Sequence, residues 1–247
     1  MFSTRKKMII GAAAVALFGA SQAMAGPMVV RSTGPSAKTY PIGKALPSDA
    51  KLSLKAGDLI TVLDSGGTRV LKGPGVVSAS GSAAASSTGF TQLIANTGAK
   101  QARTGATRAA IGGGPARSPN VWYVDASKAG TVCVADAAAL SVWRPDMTAA
   151  TSIAITNVAD GKTVNLDYRA GQTVRGWPVA ELPVVEGAQY KIVDAAGKAP
   201  TTVKLTMIGA APADIQAAAA SLLQKGCSSQ MDVLVEGTMQ AGPTASN

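Results

Sequence analysis

The chain has 247 residues and weighs 24.6 kDa, enough for one large domain or two small ones. Hydrophobic residues make up 47% and charged residues 15%, so a packed core is within reach and wholesale disorder is excluded. Histidine is absent, which excludes Ser-His-Asp and Cys-His catalysis, His-ligated metals and a histidine pH switch, and two cysteines alone cannot build a zinc or iron–sulfur site.

Arg5, Lys6 and Lys7 open the chain as a basic segment. The apolar run that follows, residues 8–20, is shorter than the about 20 residues that span a bilayer. It closes on Ala23-Met24-Ala25, the small-x-small pattern cut by a signal peptidase. Residues 1–25 are therefore expected to be a Sec-type signal peptide cleaved after Ala25, with Ala23 in the recognition pattern and Gly26 as the first mature residue. Glycine at 26 in place of cysteine argues against a lipid anchor. The mature chain is expected in the periplasm or outside the cell, with no membrane span. From Gly26 onward the net charge is +6, and all of that excess lies in residues 65–124. There Arg69, Lys72, Lys100, Arg103, Arg108 and Arg117 occur without a single acid.

Residues 26–77 read as a small β-module. The β-rich runs 59–63 and 68–71 flank the turn signal Asp64-Ser65-Gly66-Gly67, so a hairpin is expected. The run Leu54-Lys55-Ala56-Gly57-Asp58-Leu59-Ile60-Thr61-Val62-Leu63, then Gly67-Thr68-Arg69-Val70-Leu71 and Gly73-Pro74-Gly75, resembles FecR-like periplasmic domains. That resemblance implies a short β-module of the kind found in envelope signalling and surface proteins. The cytoplasmic anti-sigma region and membrane helix of full FecR-type regulators have no counterpart here, so no regulatory role is carried over.

Residues 78–120 are expected to be a flexible linker. Residues 78–89 are uncharged and rich in Ser, Ala and Gly, and a short helical turn is expected at 90–95. Lys100, Arg103, Arg108 and Arg117 follow, among Gly112-Gly113-Gly114, Pro115 and Pro119. These four cations are the candidate contacts for an anionic partner; the alternative is a solvated loop draped over the β-structure. Nucleic acid is not an expected partner, because the segment from Lys100 to Arg117 has no aromatic for base stacking and the chain is exported.

Residues 121–210 carry short β-rich runs at 121–124, 131–135, 140–144, 152–156, 163–168, 189–193 and 202–208, with turn signals between them. This rhythm predicts an antiparallel β-sandwich, with Trp143 and Trp177 as packing residues. The period then changes. After Pro212, Ile215, Ala218, Ala219, Leu222 and Leu223 share one helical face, and Lys225-Gly226 supplies the ending. Residues 211–239 are thus a helical segment. A second short helix is expected from Ser229, with a strand at 231–235 as the competing reading, and residues 240–247 form a tail. The fold class is mainly β: a small module, a linker, a sandwich and carboxy-terminal helices.

Catalytic motifs are fragmentary. Ser48-Asp49-Ala50-Lys51 has the S-x-x-K spacing but lacks its companion elements, and Gly161-Lys162-Thr163 lacks the upstream glycine of a phosphate loop. Glu181 and Glu186 form a close pair with Pro183 between them, which reads as an edge loop. No catalytic residue, metal or cofactor is assigned. Cys133 and Cys227 are expected to pair in an oxidising compartment. The expected function is a non-catalytic envelope protein, a binding, scaffold or signalling-accessory module for a protein or an anionic glycan or lipid surface. The alternative is a periplasmic hydrolase using carboxylates or Ser/Lys on a cell-wall or glycan substrate.

Overall fold

The computed structural model describes residues 26–80, 87–94, 116–195 and 199–239. In the amino-terminal part, β1 (Met28–Thr33), β3 (Leu59–Asp64) and β4 (Gly67–Lys72) form an antiparallel sheet in the order β1-β3-β4. The β3–β4 hairpin turns where the sequence signals it: Asp64 faces Gly67, and its carboxylate accepts the Gly66 amide at 2.8 Å. A second, two-stranded sheet pairs β2 (Lys51–Leu54) with β5 (Gly75–Ser78). Leu52 and Leu54 alternate inward and meet Val29, Ile60, Val62 and Leu71 in a shared core.

Asp58 fixes the turn before β3. It is 1% exposed, and its carboxylate accepts the amides of Ser36 and Lys55 at 2.8 and 2.6 Å. Gly34 closes over it: with φ of 102°, a Cβ there would sit 2.6 Å from the Gly57 carbonyl. Burial by itself raises the Asp58 carboxyl, but the hydrogen bonds from Ser36 and Lys55 outweigh it and hold the group below the usual 3.8. A depressed carboxyl contributes stability above its unfolded value and loses it as pH falls through the lower, folded value. Asp58→Asn should therefore flatten the acid limb of a stability-versus-pH curve below about pH 4. Wild-type and variant curves falling in parallel there would remove Asp58 from the account of acid unfolding.

The second part is the expected sandwich. Its larger sheet runs β10 (Thr163–Tyr168), β9 (Thr151–Asn157), β12 (Gln189–Asp194), β13 (Thr201–Met207) and β7 (Gly130–Val134), in that spatial order. The smaller runs β11 (Val174–Gly176), β8 (Ser141–Trp143) and β6 (Val124–Asp125). Ile153, Ile155, Leu166, Tyr190, Ile192 and Leu205 of the first pack against Val124 and Val142 of the second. Trp177, 5% exposed, meets Tyr190 edge-on at 4.9 Å and donates its indole N–H to the Leu182 carbonyl at 2.9 Å. Most pairings are antiparallel, but β7–β13 and β6–β8 are parallel. A parallel pair needs a long crossover, and here whole strands supply it: β8 to β12 lie between β7 and β13.

A third core joins the two parts. Helices α1 (Ser87–Ile94), α2 (Ile215–Lys225) and α3 (Ser228–Gly237) bring Phe90, Leu93, Ala218, Leu222, Met231 and Leu234 together. Val30 and Leu63 of the amino-terminal sheet enter this cluster from one side, and Trp122 and Cys133 of the sandwich from the other. The end of α2 follows its sequence signal, Gly226 closing it with φ of 72°, while at the start Asp214 caps the helix by accepting the Ala217 amide at 2.8 Å. Residues 231–235 are helical, not a strand.

Within the stretch 78–120 the described pieces are packed against the rest of the fold. Phe90 and Leu93 are one helical turn apart and both buried, Val121 donates to the Leu93 carbonyl at 2.9 Å, and Ser118 and Asn120 are 5% and 2% exposed. The two apolar side chains on one face of α1 anchor that helix. Residues 81–86 and 95–115 lie outside the described residues.

Candidate functional site

The cysteines are joined. Cys133 on β7 and Cys227 between α2 and α3 form a disulfide with Cα atoms 5.8 Å apart, and both are fully buried. Three residues further, in the first turn of α3, Gln230 grips Cys133 as well. Its side-chain oxygen accepts the Cys133 amide at 2.6 Å, and its nitrogen donates to the carbonyls of Cys133 and Val121, each at 2.9 Å. Gln230 is 2% exposed. Sequence reading missed it, because only the fold brings a glutamine in the first turn of a helix against the unpaired side of an edge strand.

The candidate cations divide. Lys100, Arg103 and Arg108 lie outside the described residues, as do Ala23 and Ala25. Arg117 is described and lies half-exposed beside α3. Its guanidinium donates to the Glu236 main-chain carbonyl at 3.1 Å and lies 3.8 Å from the Glu236 carboxylate. Arg31 of β1 pairs with Asp232 and Glu236 on the same helix, so α3 is tied by charge to both its neighbours. Gly26, the expected mature start, is packed as well: its carbonyl accepts Gln216 Nε2 of α2 at 2.9 Å.

The catalytic fragments do not assemble. Ser48 lies in a turn, where its carbonyl accepts the Ser80 hydroxyl, and Lys51 points outward from β2. They are not one helical turn apart, so lysine-assisted serine attack has no geometry here. Gly161, with φ of 74°, turns the β9–β10 hairpin. Glu186 is fastened to β13 by the Met207 amide and the Thr206 hydroxyl, which hold its carboxyl below the usual range. Among the described residues, no group of three Cys, Asp or Glu side chains is placed to hold a metal ion, and no helix is long and apolar enough to cross a membrane.

A basic face does form, on the amino-terminal module. Lys51 and Ser53 alternate outward from β2, and Lys55 continues the same side just past its end, while Leu52 and Leu54 turn in. Tyr40 lies against this strand, its hydroxyl oxygen accepting the Ser53 amide at 3.1 Å, and the Lys44 ammonium sits 5.4 Å from the Tyr40 ring centre. Across the strand pair, Val76 faces Ser53 and is 69% exposed. Lys44, Lys51 and Lys55 take no part in the described ion pairs; the nearest acids along the chain are Asp49, two residues before Lys51, and the buried Asp58, three residues after Lys55. Neither the Lys-Leu-Ser-Leu-Lys alternation nor the ring and Lys44 beside it is singled out by the sequence alone. Compared with known protein families, curated proteins and solved structures, the chain matches none.

Proposed function

We propose that the chain is an exported, non-catalytic binding module whose amino-terminal β-module contacts a phosphate-bearing lipid or glycan surface of the envelope. The observation that carries this reading is the outward face of Lys44, Lys51 and Lys55 around Tyr40, with exposed Val76 beside it. Cations beside one aromatic and one aliphatic side chain suit an anionic interface, where charge attracts and the apolar groups enter the headgroup layer. The buried disulfide is compatible with an oxidising compartment, and the basic start of the chain followed by Ala23–Ala25 supports export. The strand–turn–strand of β3 and β4 fits the FecR-like reading of this region.

Co-sedimentation with phosphatidylglycerol vesicles tests the proposal. Retention is expected on these and not on phosphatidylcholine vesicles, and it should fall steeply as salt rises, because the Debye length at physiological salt is about 8 Å. The double variant Lys51→Glu/Lys55→Glu should bind at least tenfold more weakly with an unchanged melting temperature, since both side chains are exposed. Equal retention of variant and wild type would overturn the assignment.

A further inference from the structure

Where β8 and β12 end, a cavity of about 240 Å³ opens between the two sheets of the sandwich. Arg144 and Pro145 line it from the smaller sheet, Ile192 and Asp194 from the larger, together with Ser127 and Thr201. The volume exceeds many times the roughly 10–15 Å³ a single water needs. It falls below the about 300–1,000 Å³ of sites for drug-sized ligands, so an occupant is small.

Arg144 gives the cavity its chemistry. It follows Val142 by two residues, so alternation aims both side chains between the sheets. The residue is 2% exposed, and its guanidinium lies 5.1 Å from the ring centre of Tyr168. Nε donates to the Gln172 carbonyl at 2.9 Å, and Nη2 to those of Ala149 and Arg169 at 2.9 and 3.1 Å. Nη1 has no hydrogen-bond partner among the described residues, and none of the described ion pairs includes Arg144. Three carbonyl dipoles hold the guanidinium in place, and among the described residues no carboxylate lies within ion-pair distance of it. A cation removed from water without a counter-ion is costly, and a ligand carboxylate at Nη1 would offset that cost with a charge-assisted hydrogen bond.

The opposite wall narrows the ligand further. Asp194, which accepts from the Thr151 hydroxyl at 2.9 Å, lines that wall. Its negative charge penalises a dianion such as phosphate and favours a ligand that carries a donor of its own. We infer that this cavity binds a small organic acid whose carboxylate meets Nη1 of Arg144 and whose amino or hydroxyl group faces Asp194. An amino acid and a 2-hydroxy acid share that chemistry. The inference stands apart from the lysine face, which lies on the other β-module.

Amide chemical-shift titration of the disulfide-bonded protein tests it, with L-alanine, L-lactate, acetate and inorganic phosphate as separate probes. L-alanine or L-lactate should give saturable shifts at Ser127, Asp194 and Thr201, at least tenfold tighter than acetate. The arm that saturates at the lower concentration distinguishes amino from hydroxy acid. Arg144→Lys should weaken that binding at least tenfold. Should that variant not fold, Asp194→Asn serves, and it should abolish the preference over acetate while leaving acetate binding intact. Saturation by none of the four probes would overturn the site and leave Arg144 as a structural clamp. Tighter binding of phosphate than of either acid would overturn the ligand class.

Discussion

Cys227→Ser should cost about 4–5 kcal/mol of folding stability, because the bond it removes closes a loop spanning 94 residues of sequence separation. For a chain of this size, each kcal/mol lowers the melting temperature by about 2–4 °C, so a fall of roughly 8–20 °C is expected. The loss should not stay in the sandwich. α2 and α3 also carry Ala218, Leu222 and Leu234 into the core that Val30 and Leu63 complete from the amino-terminal sheet. Loosening the helices therefore uncovers apolar surface on both β-parts at once, and the variant should still unfold in a single transition at the lower temperature. Differential scanning calorimetry of wild type and variant decides this. A loss below about 1 kcal/mol would mean that packing alone holds the helices, well under the chain-entropy value.

Gln230→Leu should cost about 3 kcal/mol, although leucine is apolar, close in size and sits in a buried place. The substitution deletes three hydrogen bonds and leaves the Cys133 amide and the Val121 carbonyl buried without partners. An orphaned buried polar group costs about 1–3 kcal/mol, which exceeds what the added apolar contact returns. Gln230→Glu should be worse still at neutral pH. It keeps the acceptor for Cys133 but removes both donors and buries a charge. Because Gln230 and Cys227 hold the same residue from one helix, their effects should not add. In a double-mutant cycle by chemical denaturation, a coupling above about 0.5 kcal/mol is expected. Strict additivity would show that the disulfide and the amide act on separate motions of α3.

How much of this was legible in the sequence depends on the distance over which each element finds its partner. The β3–β4 hairpin, the β9–β10 hairpin and α2 are closed by residues a few positions apart, and Asp64 and Gly226 announced the first and the last. β1 and β2 were not singled out, because each pairs with a strand across an intervening stretch of chain. The parallel partnership of β7 with β13 is invisible locally, since nothing in either strand records the direction of its neighbour. The same holds for the joints. Phe90, Leu93 and Arg117 read as parts of a tether because their partners, Val121 and Glu236, are supplied by the fold. The candidate sites divide in the same way: the cysteine pair followed from compartment and count, whereas Arg144 and Tyr40 matter only through what lies across from them.

The order in which these parts are made sets the timetable of assembly. β7 is completed by β13, which exists only after five further strands have been made, and its disulfide and glutamine come later still. The amino-terminal sheet waits as long: the Thr68 amide of β4 donates to the Thr238 carbonyl, nearly the last described residue. A chain emerging amino-terminus first thus carries two unfinished cores and an unsheltered strand edge until its final helices arrive. Chains stopped before residue 227 are accordingly prey for proteases and for one another, not half-proteins with half a function. Quality control of this molecule is exercised by its last few turns of helix.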